Sequence, residues 1–140
     1  MKILFDTNII LDVMLLREPF YRVASFLLAA VERKTIEGYI CSITVTTIHY
    51  LVTKVKGSKV AKQQIENILQ IFQIAPVDKI ILEKALHSRI NDYEDAVIHE
   101  AAVGIGAEGI VTRDPKDFRY SKLSVFDPEE LLKLLLSIED

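Results

Sequence analysis

Short apolar runs of strand length alternate along this chain with longer stretches of helical periodicity, and that alternation limits its fold more than any other feature. Residues 2–6 (KILFD), 38–42 (GYICS), 109–112 (GIVT) and 123–127 (LSVFD) predict strands, with a weaker one in IAPV near residue 75. Helical spacing predicts a helix over 19–34, where Phe20, Val23, Ala24, Leu27, Leu28 and Val31 recur on one face. Further helices are predicted over 45–55 and 60–72, separated by Gly57-Ser58. Asp78 is positioned to cap a helix reaching Leu86, and Asn91 or Asp92 one reaching about Val103. Asp127-Pro128-Glu129-Glu130 opens the last, with an N-cap, Pro at N1 and acid in the first turn. Strands and helices in this order imply a parallel sheet covered on both faces, a three-layer α/β/α sandwich. The 140 residues suit one domain, 1–140.

Within this pattern the opening MKILFDTNII places Asp6, Thr7 and Asn8 between two buried-looking runs. A charge buried without a partner costs several kcal/mol, roughly, so a helix cap, a salt bridge or a metal must offset it. In open parallel sheets, sites lie beyond the carboxyl ends of the strands. Asp6 ends the first strand, and Asp114 follows GIVT by two residues. In NDYEDAVIHEAA, Asp92 and Asp95 are three apart and share a helix face, and the apolar run after Asp95 marks a buried helix. Each acid has a structural role open to it: Asp92 as an N-cap, Asp114-Pro115 as a turn, Asp117 as a second cap. Together, converging on one pocket without Lys or Arg, they call for a hard cation, Mg²⁺ or Mn²⁺. Such an ion binds a phosphodiester and activates water for in-line attack.

Net charge is −3, which counts against duplex binding by phosphate neutralisation alone. Two basic groups stand out: Lys54, Lys56, Lys59 and Lys62 about the helix break, and Arg113, Lys116, Arg119 and Lys122 around Asp114. The first reads as solvated surface. Arg113 and Lys116 lie where a phosphate backbone would pass the acids, and are expected to contact a nucleic-acid strand there. Cys41 is the single cysteine, so no internal disulfide forms and a reducing, cytoplasmic setting is expected. No apolar run approaches membrane-spanning length, and the acid at position 6 argues against a signal peptide. Apolar residues on the first long helix (Phe20, Phe26, Leu27, Leu28) and in the tail LLKLLLSI exceed what one helix face needs; part is expected in the core and the rest in a dimer or partner-protein interface.

DTN after a short first strand, the ED-A helix start, VTRDxxDF before the last strand, SITVTTIHYLVTK and DPEELL together resemble PIN-domain ribonucleases of the VapC toxin branch, over nearly the whole chain. The resemblance implies an endoribonuclease cutting single-stranded RNA with Mg²⁺ or Mn²⁺, often a homodimer and often held by an antitoxin protein. Asp6, Asp95 and Asp114 fall on its acidic positions, and Asn8 and Thr112 on hydrogen-bonding positions around them. A fourth acid, normally on the helix after the second strand, is replaced at Thr47 (at Thr46 or His49 in another register); Asp92, Glu94 or Asp117 is available to fill the gap. The alternative is a catalytically degenerate PIN domain that binds RNA or protein. A phosphatase using Asp6 as nucleophile is disfavoured, because Asn8 stands where such a site wants a second Asp.

Two other signals carry less. GIGAEG over 104–109 has dinucleotide-site spacing but follows a helix and opens a strand, so it reads as a helix end and loop. His49, His87 and His99 are scattered, and for His99 a structural hydrogen bond is expected.

Overall fold

The computed structural model describes residues 1–139. Among them five strands, β1 (Lys2–Phe5), β2 (Glu37–Cys41), β3 (Gln73–Ala75), β4 (Gly109–Val111) and β5 (Ser124–Phe126), form one sheet in the order β3-β2-β1-β4-β5. Every pairing is parallel, as the alternation requires. Leu4 stands opposite Tyr39 on one side and Ile110 on the other, so β1 is the central strand.

Side chains alternate across the sheet and define two cores. Ile3, Phe5, Ile40 and Val111 face α1 (Thr7–Met14), α2 (Tyr21–Glu32), α3 (Ser42–Lys56), α4 (Ser58–Ile71) and α7 (Pro128–Glu139). Leu4, Tyr39, Cys41, Ala75 and Ile110 face α5 (Lys79–Leu86) and α6 (Tyr93–Gly104). Helices thus cover both faces, giving the expected α/β/α layers. Close packing needs Gly38: a Cβ there would come within 2.7 Å of Phe72 and Val31. Phe72 in turn meets Phe5 edge to face at 5.1 Å.

The helices fall where the periodicity puts them, with ends moved by a few residues. Asp127 and Glu130 cap α7 reciprocally: the Glu130 N–H donates to Asp127 Oδ1 (2.8 Å) and the Asp127 N–H to Glu130 Oε1 (3.0 Å). Gly57, at φ +88°, separates α3 from α4. The GIGAEG segment is the end of α6, a turn with Gly106 at φ +71°, and the start of β4. Two elements are not anticipated: a single 3-10 turn over Pro115–Phe118, and α1, for which Asp6-Thr7-Asn8 is the helix start with Asp6 as N-cap. The apolar surplus divides as expected between core and surface. Leu27, Leu131 and Leu135 are buried, while Phe26, Leu136 and Ile138 are exposed. No helix among the described residues is long and apolar enough to cross a membrane.

Candidate active site

The carboxyl ends of β1 and β4 lie side by side, and a hydrogen-bonded lattice joins them. The Asp6 N–H donates to Val111 O (3.0 Å), extending the β1–β4 ladder by one residue. The Asp6 side chain is buried; Oδ1 accepts from the Thr7 N–H (2.8 Å) and Oδ2 from the Thr112 hydroxyl (2.7 Å). The same hydroxyl accepts from the Asp114 N–H (3.1 Å), so Thr112 holds both acids. Asn8, in the first turn of α1, clamps the loop from the other side. Its Nδ2 donates to Asp114 Oδ2 (3.2 Å) and its Oδ1 accepts from the Arg113 N–H (3.3 Å).

The start of α6 supplies the facing wall. Asp92 caps that helix, its Oδ1 accepting from the Asp95 N–H (3.0 Å). Asp6, Asp92, Glu94, Asp95, Asp114 and Asp117 then line one open cleft of about 270 Å³, with no Lys or Arg in its wall. The crowding has an electrostatic signature. Burial, then the charges of Asp6, Asp92, Asp117 and Glu94, push the Asp95 carboxyl from 3.8 up to about 7. Burial also raises Asp6; the Thr112 and Thr7 hydrogen bonds oppose this, and the charges of Asp114 and Glu94 add to it. These acids therefore repel one another across the cleft without a compensating cation from the protein.

An all-oxygen, anionic donor set of this kind fits a hard divalent cation. Among the described residues no three His, Cys, Asp or Glu side chains are gathered into a ready ion cage. The cleft offers the donors along its walls.

Most of the anticipated site residues meet here. Asp6, Asp95, Asp114, Asn8, Asp92 and Asp117 line the cleft, and Thr112 lies directly behind it. Thr47 does not line it: its hydroxyl donates to Ile43 O one turn back on α3 (3.3 Å). The α3 residue tied to the DTN turn is Thr44, buried, with its hydroxyl 3.2 Å from that of Thr7. Arg113, expected at a phosphate, is engaged elsewhere. Its Nε and Nη2 donate to Asp12 Oδ2 (2.7 Å) and Oδ1 (3.2 Å), and its guanidinium lies 4.0 Å from the Phe20 ring centroid. Asp12 is fully buried in α1 and also pairs with Arg17 at 3.9 Å. A charge inside the apolar run IILDVM demands such a partner, and that signal was available in the sequence. Lys116 lines a neighbouring concavity that shares Asp92, Asp95 and Asp117 with the acidic cleft. Glu94, one of the three acids available to fill the gap at Thr47, also lines the cleft. His99 is structural, as expected: Nε2 accepts from the Lys122 N–H (3.1 Å) and Nδ1 lies 2.9 Å from Glu100 Oε2.

Residues 2–116 match the family model described as PIN domain. The chain belongs to the PIN domain family. Among curated proteins, none matches the sequence. Solved structures share the PIN fold over most of their length. VapBC2 from Rickettsia felis bound to a promoter DNA fragment is 19% identical with a TM-score of 0.69, covering 91% of this chain and 98% of that one. A toxin–antitoxin complex from Klebsiella pneumoniae is 27% identical at 0.68, covering 89% and 96%. VapC20 from Mycobacterium tuberculosis, a sarcin–ricin-loop-cleaving toxin, is 15% identical at 0.63, covering 77% and 86%. In this chain the acidic cleft lies at the carboxyl edge of the sheet, between the end of β1, the start of α6 and the loop after β4.

Proposed function

We propose that this PIN domain is a Mg²⁺- or Mn²⁺-dependent endoribonuclease that cuts single-stranded RNA, acting as the toxin of a toxin–antitoxin pair. The observation that carries the reading is the convergence of uncompensated carboxylates from three parts of the chain on one open cleft. Asp6, Asp95 and Asp114 would hold the ion. Glu94 is best placed to supply the anionic oxygen that Thr47 lacks, because it lines the cleft and its charge reaches both Asp6 and Asp95. An ion held there would supply positive charge for a phosphodiester and a more acidic water for in-line attack on phosphorus.

The protein's own residues position rather than attack. Thr112 fixes the orientation of Asp6 and the backbone of Asp114 through one hydroxyl, and Asn8 fixes the Asp114 carboxylate. The Asp92 cap sets the first turn of α6, and with it the place of Glu94 and Asp95. No side chain serves as nucleophile in this reading.

Support for the toxin role comes from the likeness to a toxin–antitoxin complex and to a toxin that cleaves the sarcin–ricin loop. An antitoxin partner, a homodimer and a cytoplasmic location belong to the same proposal, as does action of residues 1–140 as one domain. Thr47 in place of an acid favours a second reading, a degenerate domain that binds RNA without cutting it.

Digestion of labelled single-stranded RNA separates the two. Cleavage should need Mg²⁺ or Mn²⁺, stop with EDTA and weaken with salt, and Asp6→Asn should be inactive. Cleavage that persists in EDTA, or equally in Asp6→Asn, removes the metal-nuclease reading. RNA binding without cleavage by metal-loaded protein moves the assignment to the degenerate domain.

A further inference from the structure

Next to the acidic cleft, and sharing Asp92, Asp95 and Asp117 with it, is a concavity of about 280 Å³ whose other wall carries Lys116, Arg119 and Tyr120. Tyr120 is 41% exposed, and two guanidiniums lie over its ring: Arg89 with Cζ 4.2 Å from the centroid, and Arg119 with Cζ at 5.0 Å. Among the described residues Arg89, Lys116 and Arg119 form no ion pair, although acids stand across the concavity that Lys116 and Arg119 line; Arg89 adjoins it through its contact with Tyr120. Their positive charge is therefore available to a ligand. On the opposite flank of Asp114 the nearest arginine, Arg113, has both donor edges committed to Asp12 and its face to Phe20. On the Tyr120 side, by contrast, the cations have no carboxylate partner among the described residues.

Single-stranded nucleic acid is held by two kinds of group together: aromatic or guanidinium planes that stack on bases, and cations that follow the backbone. Both kinds occur here within one concavity. Resting on the nuclease reading above, we infer that this concavity is the nucleotide subsite next to the scissile phosphate, where a base stacks on the Tyr120–Arg89 platform and the adjoining phosphate meets Lys116 and Arg119. The subsite is sequence-tolerant, because any base presents a face to stack.

The chain contains no Trp, so Tyr120→Trp gives a sole fluorescent reporter at the platform. The probe is a mixed-sequence single-stranded oligoribonucleotide, compared with an abasic strand of equal length, with Ca²⁺ replacing Mg²⁺ or Mn²⁺ to hold cleavage back. Emission should be quenched by the base-bearing strand and not by the abasic one. By anisotropy, Tyr120→Ala and Arg89→Ala should each bind the strand about tenfold more weakly. Tyr120→Phe should bind as the native protein does, and Mn²⁺ affinity should be unchanged in all three. Equal quenching by both strands, undiminished binding in Tyr120→Ala, or no binding by the native protein overturns the assignment. Normal cleavage by Tyr120→Ala would remove the subsite and leave the nuclease standing. Base-dependent quenching without any cleavage would remove the nuclease and leave the subsite.

Discussion

Replacing Asp95 by Asn should stabilise the metal-free protein above neutral pH. Asp95 titrates at about 7 in the folded chain against an ordinary 3.8, because burial and the carboxylates of Asp6, Asp92, Asp117 and Glu94 disfavour its charge. The unfolded chain therefore releases this proton near pH 4 while the folded one holds it to about pH 7. Stability then falls as pH rises through that window, and the loss is complete above it. At about 1.36 kcal/mol per pH unit the ceiling is about 4 kcal/mol. The side chain is only half-buried, and solvent screening reduces the effect to about 2 kcal/mol. For a chain of this length that is a melting shift of about 6 °C. The assay is thermal unfolding followed by circular dichroism in EDTA, at pH 4 and pH 8, with native protein and Asp95→Asn. The two should melt together at pH 4, and the variant should melt higher at pH 8. In Mn²⁺ the order should reverse, because only the native protein gains from the ion. A variant that melts lower at pH 8 in EDTA would refute the reasoning, since the carboxylate would then be stabilising as it stands.

Further outcomes follow from the same geometry. Thr47→Glu should leave Mn²⁺ affinity within about twofold, whereas Glu94→Gln should weaken it by about tenfold; calorimetry with Mn²⁺ compares them. Asp12→Ala leaves Arg113 and Arg17 without their shared buried partner and should cost about 3 kcal/mol in urea unfolding. Lys116→Ala should weaken RNA binding and reduce its salt dependence while sparing the metal, whereas Arg113→Ala should act first on stability; anisotropy at several salt concentrations, beside melting curves, distinguishes them.

The sheet and the address of the site were legible because they rest on local patterns. Ile3-Leu4-Phe5 and Gly109–Val111 read as buried strands, and the acids that follow them necessarily arrive at one sheet edge. In sequence Asp6-Thr7-Asn8 looks like an interruption between apolar runs, for which a cap, a salt bridge and a metal are equally open; the Thr7 N–H bond to Asp6 Oδ1 is what makes it the start of α1. In sequence, Arg113 reads as a phosphate contact because its neighbour is Asp114. Its partner in space, Asp12, is 101 residues away, and only the β1–β4 pairing brings them together. Motif register points to Thr47, whereas the structure ties its hydroxyl to its own helix and joins α3 to the DTN turn through Thr44. Tyr120 and Arg89 carry no sequence signal as a pair, since their stacking depends on how the loop after β4 packs beside α6.

The central claim, that Asp6, Asp95 and Asp114 together hold a divalent cation, is tested most directly by anomalous diffraction from crystals soaked in Mn²⁺. The account predicts a peak in the cleft about 2.1 Å from oxygens of these carboxylates, absent from crystals of Asp6→Asn treated in the same way. Mn²⁺ bound elsewhere with the cleft empty, or an undiminished peak in Asp6→Asn, would contradict it.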